Sequence, residues 1–258
     1  MVKDRARGVY ADHAKVHPIN FDGEFFKVRG PLNTAPSPQG RRTYVQAGGS
    51  PRGRDFAARH ADSIIATANE IGGMKEFRDD VRQRAVKIGR DPDEIKVLYL
   101  VYPILGETGE EACDAHARLV NEPWYAEAAV AGIGQITDID FSIYDLDKPL
   151  PKLTTNGESG ALDKFQQWGS GKTLRQLAAE RYDNGLNLIG SPDEVAERMG
   201  AAMEAVGGDG FLISTPFQRI SRRFINEVCE GLAPALQRRG LMRTEYAKFT
   251  LREMLREF

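Results

Sequence analysis

The sequence predicts an α/β fold in which four β-strands, each followed by an α-helix, form a parallel sheet. Short apolar runs alternate with stretches of helical period, and the run IKVLYLVYPILG is continuously apolar, as expected for a strand that is buried on both faces. Apolar residues make up 41% of the 258 residues, which is enough for a core and excludes general disorder. The pattern fits a doubly wound sheet or a (β/α)8 barrel, of which four units would be half.

The four predicted βα units follow one another from residue 43 onward. They span 43–61, 62–89, 95–120 and 191–240. Between the third and the fourth unit, residues 121–188 are expected to form a mostly helical or irregular insertion. Because connections between parallel strands are short and right-handed, an antiparallel arrangement of these segments would contradict the prediction.

Residues 1–42 lack the βα pattern. NFDGEFFKVRG predicts a β-hairpin that turns at Asp22-Gly23, and PLNTAPSPQG, with three prolines, predicts an extended loop. We therefore expect one domain over residues 1–258, in which residues 1–42 are a hairpin and loop insertion.

Composition and charge exclude several classes of protein. A net charge of −2 argues against a nucleic acid or an anionic membrane as partner. Cys113 and Cys229 predict two free thiols in a reducing compartment. No apolar run approaches the ~20 residues of a membrane span, and the charged N-terminus MVKDRARGVYADHAK lacks a secretory core. A cytoplasmic location is therefore expected.

Three patterns resemble functional motifs but lack the spacing that those motifs need. GSGKT at 169–173 resembles the end of a phosphate-binding loop, but Gln166 stands where that loop needs glycine. The aspartates of DIDFSIYDLD lack the central glycine of a calcium loop. The histidines are too scattered for a metal site; they are His13, His17, His60 and His116. The sequence thus predicts no metal and identifies no catalytic residue.

The turn between the first strand and its helix is the candidate binding site. Three other helices start with a capping box, in which a hydroxyl is followed three residues later by Glu or Gln; they are Thr108 with Glu111, Thr173 with Gln176, and Ser191 with Glu194. The helix after Ser50 has Gly53 at that position instead. Its start therefore offers free amides and the positive end of the helix dipole to an external anion.

The residues around Ser50 favour a phosphate as that anion. Gly48 and Gly49 let a ligand come close to the backbone, and Arg52 and Arg54 add positive charge. The alternative on these residues is a glycine-rich turn with exposed arginines and no ligand. The stretch is not the dinucleotide-binding fingerprint, because Ser50 occupies the place of its middle glycine.

The residues 23–68, GEFFKVRGPLNTAPSPQGRRTYVQAGGSPRGRDFAARHADSIIATA, resemble the bacterial-luciferase-like flavin-dependent monooxygenases, in the branch of nitrilotriacetate, dibenzothiophene-sulfone and long-chain alkane monooxygenases. YPILGETGEEA, LIGSPDEVAERM, DGFLIS and ALQRRGLMRTEYAKFTLRE extend this resemblance over nearly the whole chain. The chain departs from the family pattern at Arg42, where proline is usual.

The resemblance implies a TIM barrel of the (β/α)8 type, of which this chain would hold about the last four βα units plus an insertion. It implies reduced flavin mononucleotide (FMNH2) at the C-terminal ends of the strands. The family's phosphate-binding serine corresponds to Ser50, with the backbone of Gly49 beside it, and Gly48 and Arg52 complete the expected cofactor-binding residues. The first four units, with most contacts to the flavin ring, would precede residue 1, so this chain alone is expected to be impaired.

The implied function is that of a two-component monooxygenase. A separate flavin reductase supplies FMNH2, and the enzyme uses O2 to oxygenate a small organic substrate. One alternative is an oxidoreductase of the same superfamily that uses F420, which the RGPLN and SPQGR motifs disfavour. Another is an inactive half-barrel that only binds flavin phosphate. The outer strands, at Tyr44–Ala47 and Phe211–Ser214, would leave two open edges, which predicts a homo-oligomer, insolubility or covering by residues 1–43.

Overall fold

The computed structural model describes residues 1–68, 70–157, 159–182, 185–215 and 220–257. The chain divides into two compact units, Met1–Arg42 and Thr43–Phe258. The smaller unit contains an antiparallel pair of strands, β1 (Phe21–Asp22) and β2 (Lys27–Val28). The predicted hairpin is thus confirmed, but its turn spans residues 23–26 and not Asp22-Gly23, because Asp22 pairs with Lys27 in the ladder. A hydrogen bond from the amide of Gly23 to the carbonyl of Phe26 at 3.0 Å closes this turn.

The larger unit is built on a parallel sheet of four strands. In spatial order, which is also chain order, they are β3 (Val45–Ala47), β4 (Ser63–Ala66), β5 (Lys96–Val101) and β8 (Phe211–Ile213). Each strand lies within a predicted apolar run, so the parallel α/β prediction is confirmed.

Helices pack on one face of this sheet and enclose the main hydrophobic core. They are α1 (Pro51–His60), α2 (Glu70–Lys87), α7 (Pro192–Val206) and α9 (Ala233–Arg238). In β5, Val97, Tyr99 and Val101 point into this core, whereas Leu98 and Leu100 on the opposite face stay partly exposed. The prediction that this strand is buried on both faces is therefore wrong for the described residues, because helices cover only one of them.

The connection from β5 to β8 is long and leaves the sheet at Tyr102. It begins with β6 (Ile104–Leu105), which pairs in parallel with β7 (Ile189–Gly190) shortly before α7. Between these two strands lie α3 (Gly109–Val120), α4 (Tyr125–Thr137), α5 (Ser159–Trp168) and α6 (Leu174–Glu180).

The position of α3 differs from the prediction. It was expected to cover the sheet as the helix of the third unit, but its main contacts are with β6, β7 and α4. The helix that returns the chain from β5 to β8 is α7, which packs against α2 and α9. A capped amphipathic sequence predicts a helix correctly but does not say which surface its apolar face will cover.

The helices between β6 and β7 have a core of their own, separate from the main one. Its buried members come from α4, α5, α6 and the turn at Phe141; they are Tyr125, Ala126, Ala129, Val130, Ile133, Phe141, Phe165, Leu174, Leu177 and Ala178. Phe141 and Phe165 meet edge to face, with 5.8 Å between ring centroids. The stretch predicted as helical or irregular is therefore packed as a small helical module.

The C-terminal segment is helical as predicted. Helix α8 (Arg222–Asn226) continues through a π-helical turn, Glu227–Leu232, into α9, and α10 (Leu251–Arg256) follows a loop. No helix in the described part of the chain is both long enough and apolar enough to cross a membrane.

Candidate functional site

The carboxyl edge of the main sheet brings together one glycine and three residues with hydroxyl groups. Gly48 follows β3, Thr67 follows β4, Tyr102 follows β5 and Ser214 follows β8. Ligand sites of parallel α/β folds lie at this edge, because the strand ends and the starts of the returning helices meet there. Of these strand ends, only that of β3 was predicted as a site from sequence, although a hydroxyl directly after a buried strand, as at Tyr102, is a signal that the sequence also contains.

Ser50 caps α1 at the β3 end of this edge. Its backbone is extended (φ −66°, ψ 156°), and its Oγ accepts a hydrogen bond from the amide of Gly53 at 3.1 Å. Pro51 occupies the first helical position, and no acidic residue lies in the first turn. The helix start is therefore set as the sequence predicts, without an internal anion.

Gly53 has a structural role that the sequence reasoning missed. A β-carbon at this position would lie 3.0 Å from the carbonyl oxygen of Gly48 and 3.2 Å from the Oγ of Ser50. Glycine thus allows the strand end to fold closely onto the first turn of α1. Gly53, which stands where the other helices have Glu or Gln, is therefore also the residue that makes the tight turn possible.

Arg54 supports the turn from behind. Its Nε donates to the carbonyl of Gly49 at 2.8 Å, its Nη1 donates to Asp80 at 2.9 Å, and its guanidinium lies 4.6 Å from the centre of the Phe77 ring. Burial alone would raise the pKa of Asp80, but hydrogen bonds from Arg84 and Arg54 outweigh it and hold this pKa below its ordinary value. Because its charge is matched by Asp80, Arg54 orders the backbone and is not the second anion-binding cation that the sequence suggested.

Arg52 and three backbone amides remain available at the start of α1. Arg52 is exposed, and its side chain has no polar partner among the described residues. The amides of Gly49, Ser50 and Arg52 likewise donate no hydrogen bond to the described part of the chain. A cluster of free amides with one guanidinium at a helix start can bind an anion.

The starts of the other helices show how far the start of α1 differs from them. The predicted capping boxes of α6 and α7 are complete, with both reciprocal hydrogen bonds present. In α3, Thr108 accepts from the amide of Glu111, but the Glu111 carboxylate accepts from the amide of Glu107 instead of closing the box. The short helix α8 also lacks an acid in its first turn, which follows Ser221. The absence of an acid is therefore not unique to α1 and does not by itself identify a site.

Comparison with known proteins identifies the family. The model of the family described as luciferase-like monooxygenase matches residues 7–210. The chain belongs to this family. It is 31% identical to N-acetyl-S-(2-succino)cysteine monooxygenase of Bacillus subtilis (strain 168), over 98% of this chain and 58% of that protein. It is 33% identical to long-chain alkane monooxygenase of Geobacillus thermodenitrificans (strain NG80-2), over 99% of this chain and 54% of that protein.

Solved structures agree with this assignment. DmoA from Hyphomicrobium sulfonivorans is 30% identical, with a TM-score of 0.80 over 98% of this chain and 53% of that chain. Riboflavin lyase RcaE, solved with modified FMN and riboflavin, is 32% identical, with a TM-score of 0.77 over 99% of this chain and 56% of that chain. The chain thus spans little more than half the length of the relatives that it matches.

Proposed function

We propose that this chain is part of an FMNH2-dependent monooxygenase that uses O2 to oxygenate a small organic substrate. Family membership supports flavin chemistry, and the relatives include an FMNH2-dependent dimethylsulfone monooxygenase of Pseudomonas fluorescens (strain Pf0-1). The observation that carries the proposal is the set of available donors at the start of α1, three backbone amides and the Arg52 guanidinium, at the carboxyl edge of a parallel sheet in a chain of this family. A bound flavin supplies the reaction with O2, while the protein binds, orients and shields it.

The donors at the start of α1 fit the phosphate of FMN. The amides of Gly49, Ser50 and Arg52 and the Arg52 guanidinium are donors of the kind that phosphate binds. Gly48 and Gly49 carry no side chain that would block its approach. The Ser50 oxygen accepts from Gly53, but its hydroxyl proton is still available to the phosphate, since one hydroxyl can accept and donate at once. Capping and phosphate binding are therefore compatible roles for Ser50.

We propose further that the four-stranded sheet is half of a (β/α)8 barrel. Its strands are parallel and in chain order, and, in the part of the chain that the structure describes, their helices lie on one face. The opposite face carries apolar side chains that remain accessible, such as Val45 (55% exposed) and Leu212 (37% exposed) on the two outer strands. A complementary half would cover this face and pair both edges. A chain that showed one copy by light scattering while both edges exchanged their amides freely would contradict this proposal.

A second copy of this chain is one source of that complementary half, which makes a homo-oligomer part of the proposal. A separate reductase as the source of FMNH2 is supported by the relative named nitrilotriacetate monooxygenase component A, of Aminobacter aminovorans, whose name implies a further component. A cytoplasmic location is supported by Cys113 and Cys229, which are free and exposed.

Anaerobic titration with cofactors tests the function. We expect FMNH2 to bind and, on exposure to O2 with a supplied reductase, to be reoxidised faster on the protein than free in solution. Binding of F420 in preference to FMNH2 would indicate the reductase alternative instead. Binding of FMN without any change in its reaction with O2 would indicate a flavin-phosphate binder that is not an enzyme.

A further inference from the structure

The chain from Pro103 to Gly190, which contains the predicted residues 121–188, is here called the insertion, and it starts and ends at the carboxyl edge. It begins where β5 ends, and it returns at Ser191, which caps the crossover helix α7. A crossover helix between parallel strands starts at the carboxyl edge, so both ends of the insertion lie there. Since α4, α5 and α6 enclose their own core, the insertion is a separately packed layer beside the proposed ligand site.

One aromatic contact joins the insertion to the end of β5. The rings of Tyr102 and Tyr182 meet edge to face, with 4.9 Å between centroids and 70° between planes. Tyr102 directly follows the buried Val101 of β5, and Tyr182 lies just beyond the end of α6. Burial, with a smaller contribution from Tyr182, raises the pKa of Tyr102, so its phenol stays protonated at neutral pH.

Arg181 fixes the Tyr182 side of this contact. Its guanidinium lies 5.2 Å from the centre of the Tyr182 ring and donates a hydrogen bond to the carbonyl of Ala129 in α4. A β-carbon on Gly132 would collide with this guanidinium, so glycine leaves the space that Arg181 occupies. The Tyr182 ring is thus held between the core of α4, α5 and α6 and the end of β5.

We propose that the Tyr102–Tyr182 contact holds the insertion in place over the carboxyl edge, and that Tyr102 is a positioning residue for the site that the edge forms. The first part depends only on the geometry within this unit. The second part rests on the proposed flavin function, since it assumes that a ligand binds beside Ser50. Ser50 follows β3 and Tyr102 follows β5, which are two strands apart in the sheet. Adjacent strands lie about 4.8 Å apart, which places the two strand ends roughly 10 Å from each other.

The two tryptophans of the chain, Trp124 and Trp168, both lie in the insertion and report on it selectively. Tyr102→Ala and Tyr182→Ala should each increase the quenching of tryptophan fluorescence by acrylamide. The corresponding Phe variants should not, because they keep the ring contact. Tyr246→Ala, which removes an exposed tyrosine outside the insertion, is the matched control and should leave the quenching unchanged.

Hydrogen exchange gives the magnitude. Loss of an edge-to-face aromatic pair should raise the rate of amide hydrogen exchange in the elements that it holds by about two- to tenfold. We expect that increase in α4 and α6 for either Ala variant, no further increase in the double variant, and no change in α2. Unchanged exchange in α4 and α6, an equal increase in α2, or Phe variants as damaging as the Ala variants would each overturn the proposal.

Bound flavin separates this inference from the proposed function. With FMN present, Tyr102→Ala should make the bound flavin more accessible to iodide, as expected when the segment that covers it is loosened. Full iodide protection in Tyr102→Ala would refute the positioning role. If no variant, nor the unaltered chain, bound flavin, the proposed function would fail, while the exchange result would still decide whether the two tyrosines hold the insertion.

Discussion

Replacing Ser50 by alanine removes one hydroxyl that has two roles in the proposed site. Loss of the hydrogen bond from Gly53, 3.1 Å long, should lower the free energy of unfolding by about 1 kcal/mol, as for other helix caps. Loss of a charge-assisted contact to phosphate should cost about 1.5–3 kcal/mol of binding free energy. That corresponds to a dissociation constant for FMN that is roughly ten- to a hundredfold higher. Ser50→Asp should weaken binding further, because its carboxylate repels the phosphate dianion.

Parallel calorimetric titrations with FMN and riboflavin separate the two roles. Riboflavin lacks the phosphate, so its affinity should be nearly the same for Ser50→Ala and for the unaltered chain. Ser191→Ala is the matched control, since it removes the serine cap of α7, which already has its own acid in Glu194. This control should lose stability but keep its affinity for FMN. Equal losses of FMN and riboflavin affinity in Ser50→Ala would mean that Ser50 only caps the helix.

Three further predictions concern the residues that shape the site and the sheet. Gly53→Ala should weaken FMN binding and lower the free energy of unfolding in urea, since the new methyl group would lie 3.0 Å from the carbonyl oxygen of Gly48. A free energy of unfolding higher by about 0.5–1 kcal/mol, which is typical of Gly→Ala within an unconstrained helix, would contradict this. Asp80 has a lowered pKa in the fold, so its ion pairs stabilise the folded chain above the unfolded-state pKa of 3.8, and this stability is lost as the pH falls through the lower folded pKa. Asp80→Asn should therefore reduce the loss of folding stability between pH 5 and about 2. An unchanged profile of stability against pH would exclude this role. Asp62 is 2% exposed and accepts hydrogen bonds from the amide of Tyr44 at 2.8 Å and from Arg252 at 3.0 Å. Asp62→Ala should therefore cost about 3 kcal/mol in urea unfolding, because both donors lose this acceptor; a cost below about 1 kcal/mol would show that neither donor depends on it.

Local signals in the sequence were sufficient for the elements of the main sheet. The apolar runs located all four strands, and Ser50 and Ser191 marked the starts of α1 and α7 through their side-chain oxygens. These features depend on residues within a few positions of each other, which is why they can be read from sequence. The proposed anion site could be named from sequence for the same reason, because its amides and Arg52 belong to one turn.

Features that depend on distant contacts were not predictable in the same way. β6 and β7 pair over two residues only, and the partners Ile104 and Ile189 are far apart in sequence. The placement of α3 beside them follows from that pairing and not from its own pattern. Arg54 was predicted to bind the anion, because its actual acceptor, Asp80, lies on another helix and could not be recognised from the sequence around Arg54. Likewise, nothing near Tyr102 in sequence indicated that Tyr182 would pack against it.

Amide chemical shifts test the central claim most directly, because the claim concerns backbone donors at one helix start. In a ¹⁵N-labelled sample titrated with FMN, the amides of Gly49, Ser50 and Arg52 should shift most, and riboflavin should not reproduce these shifts. The start of α8 after Ser221, which also lacks an acid in its first turn, is the internal comparison and should respond less. The largest shifts at α8, or equal shifts with riboflavin, would contradict a phosphate site at α1.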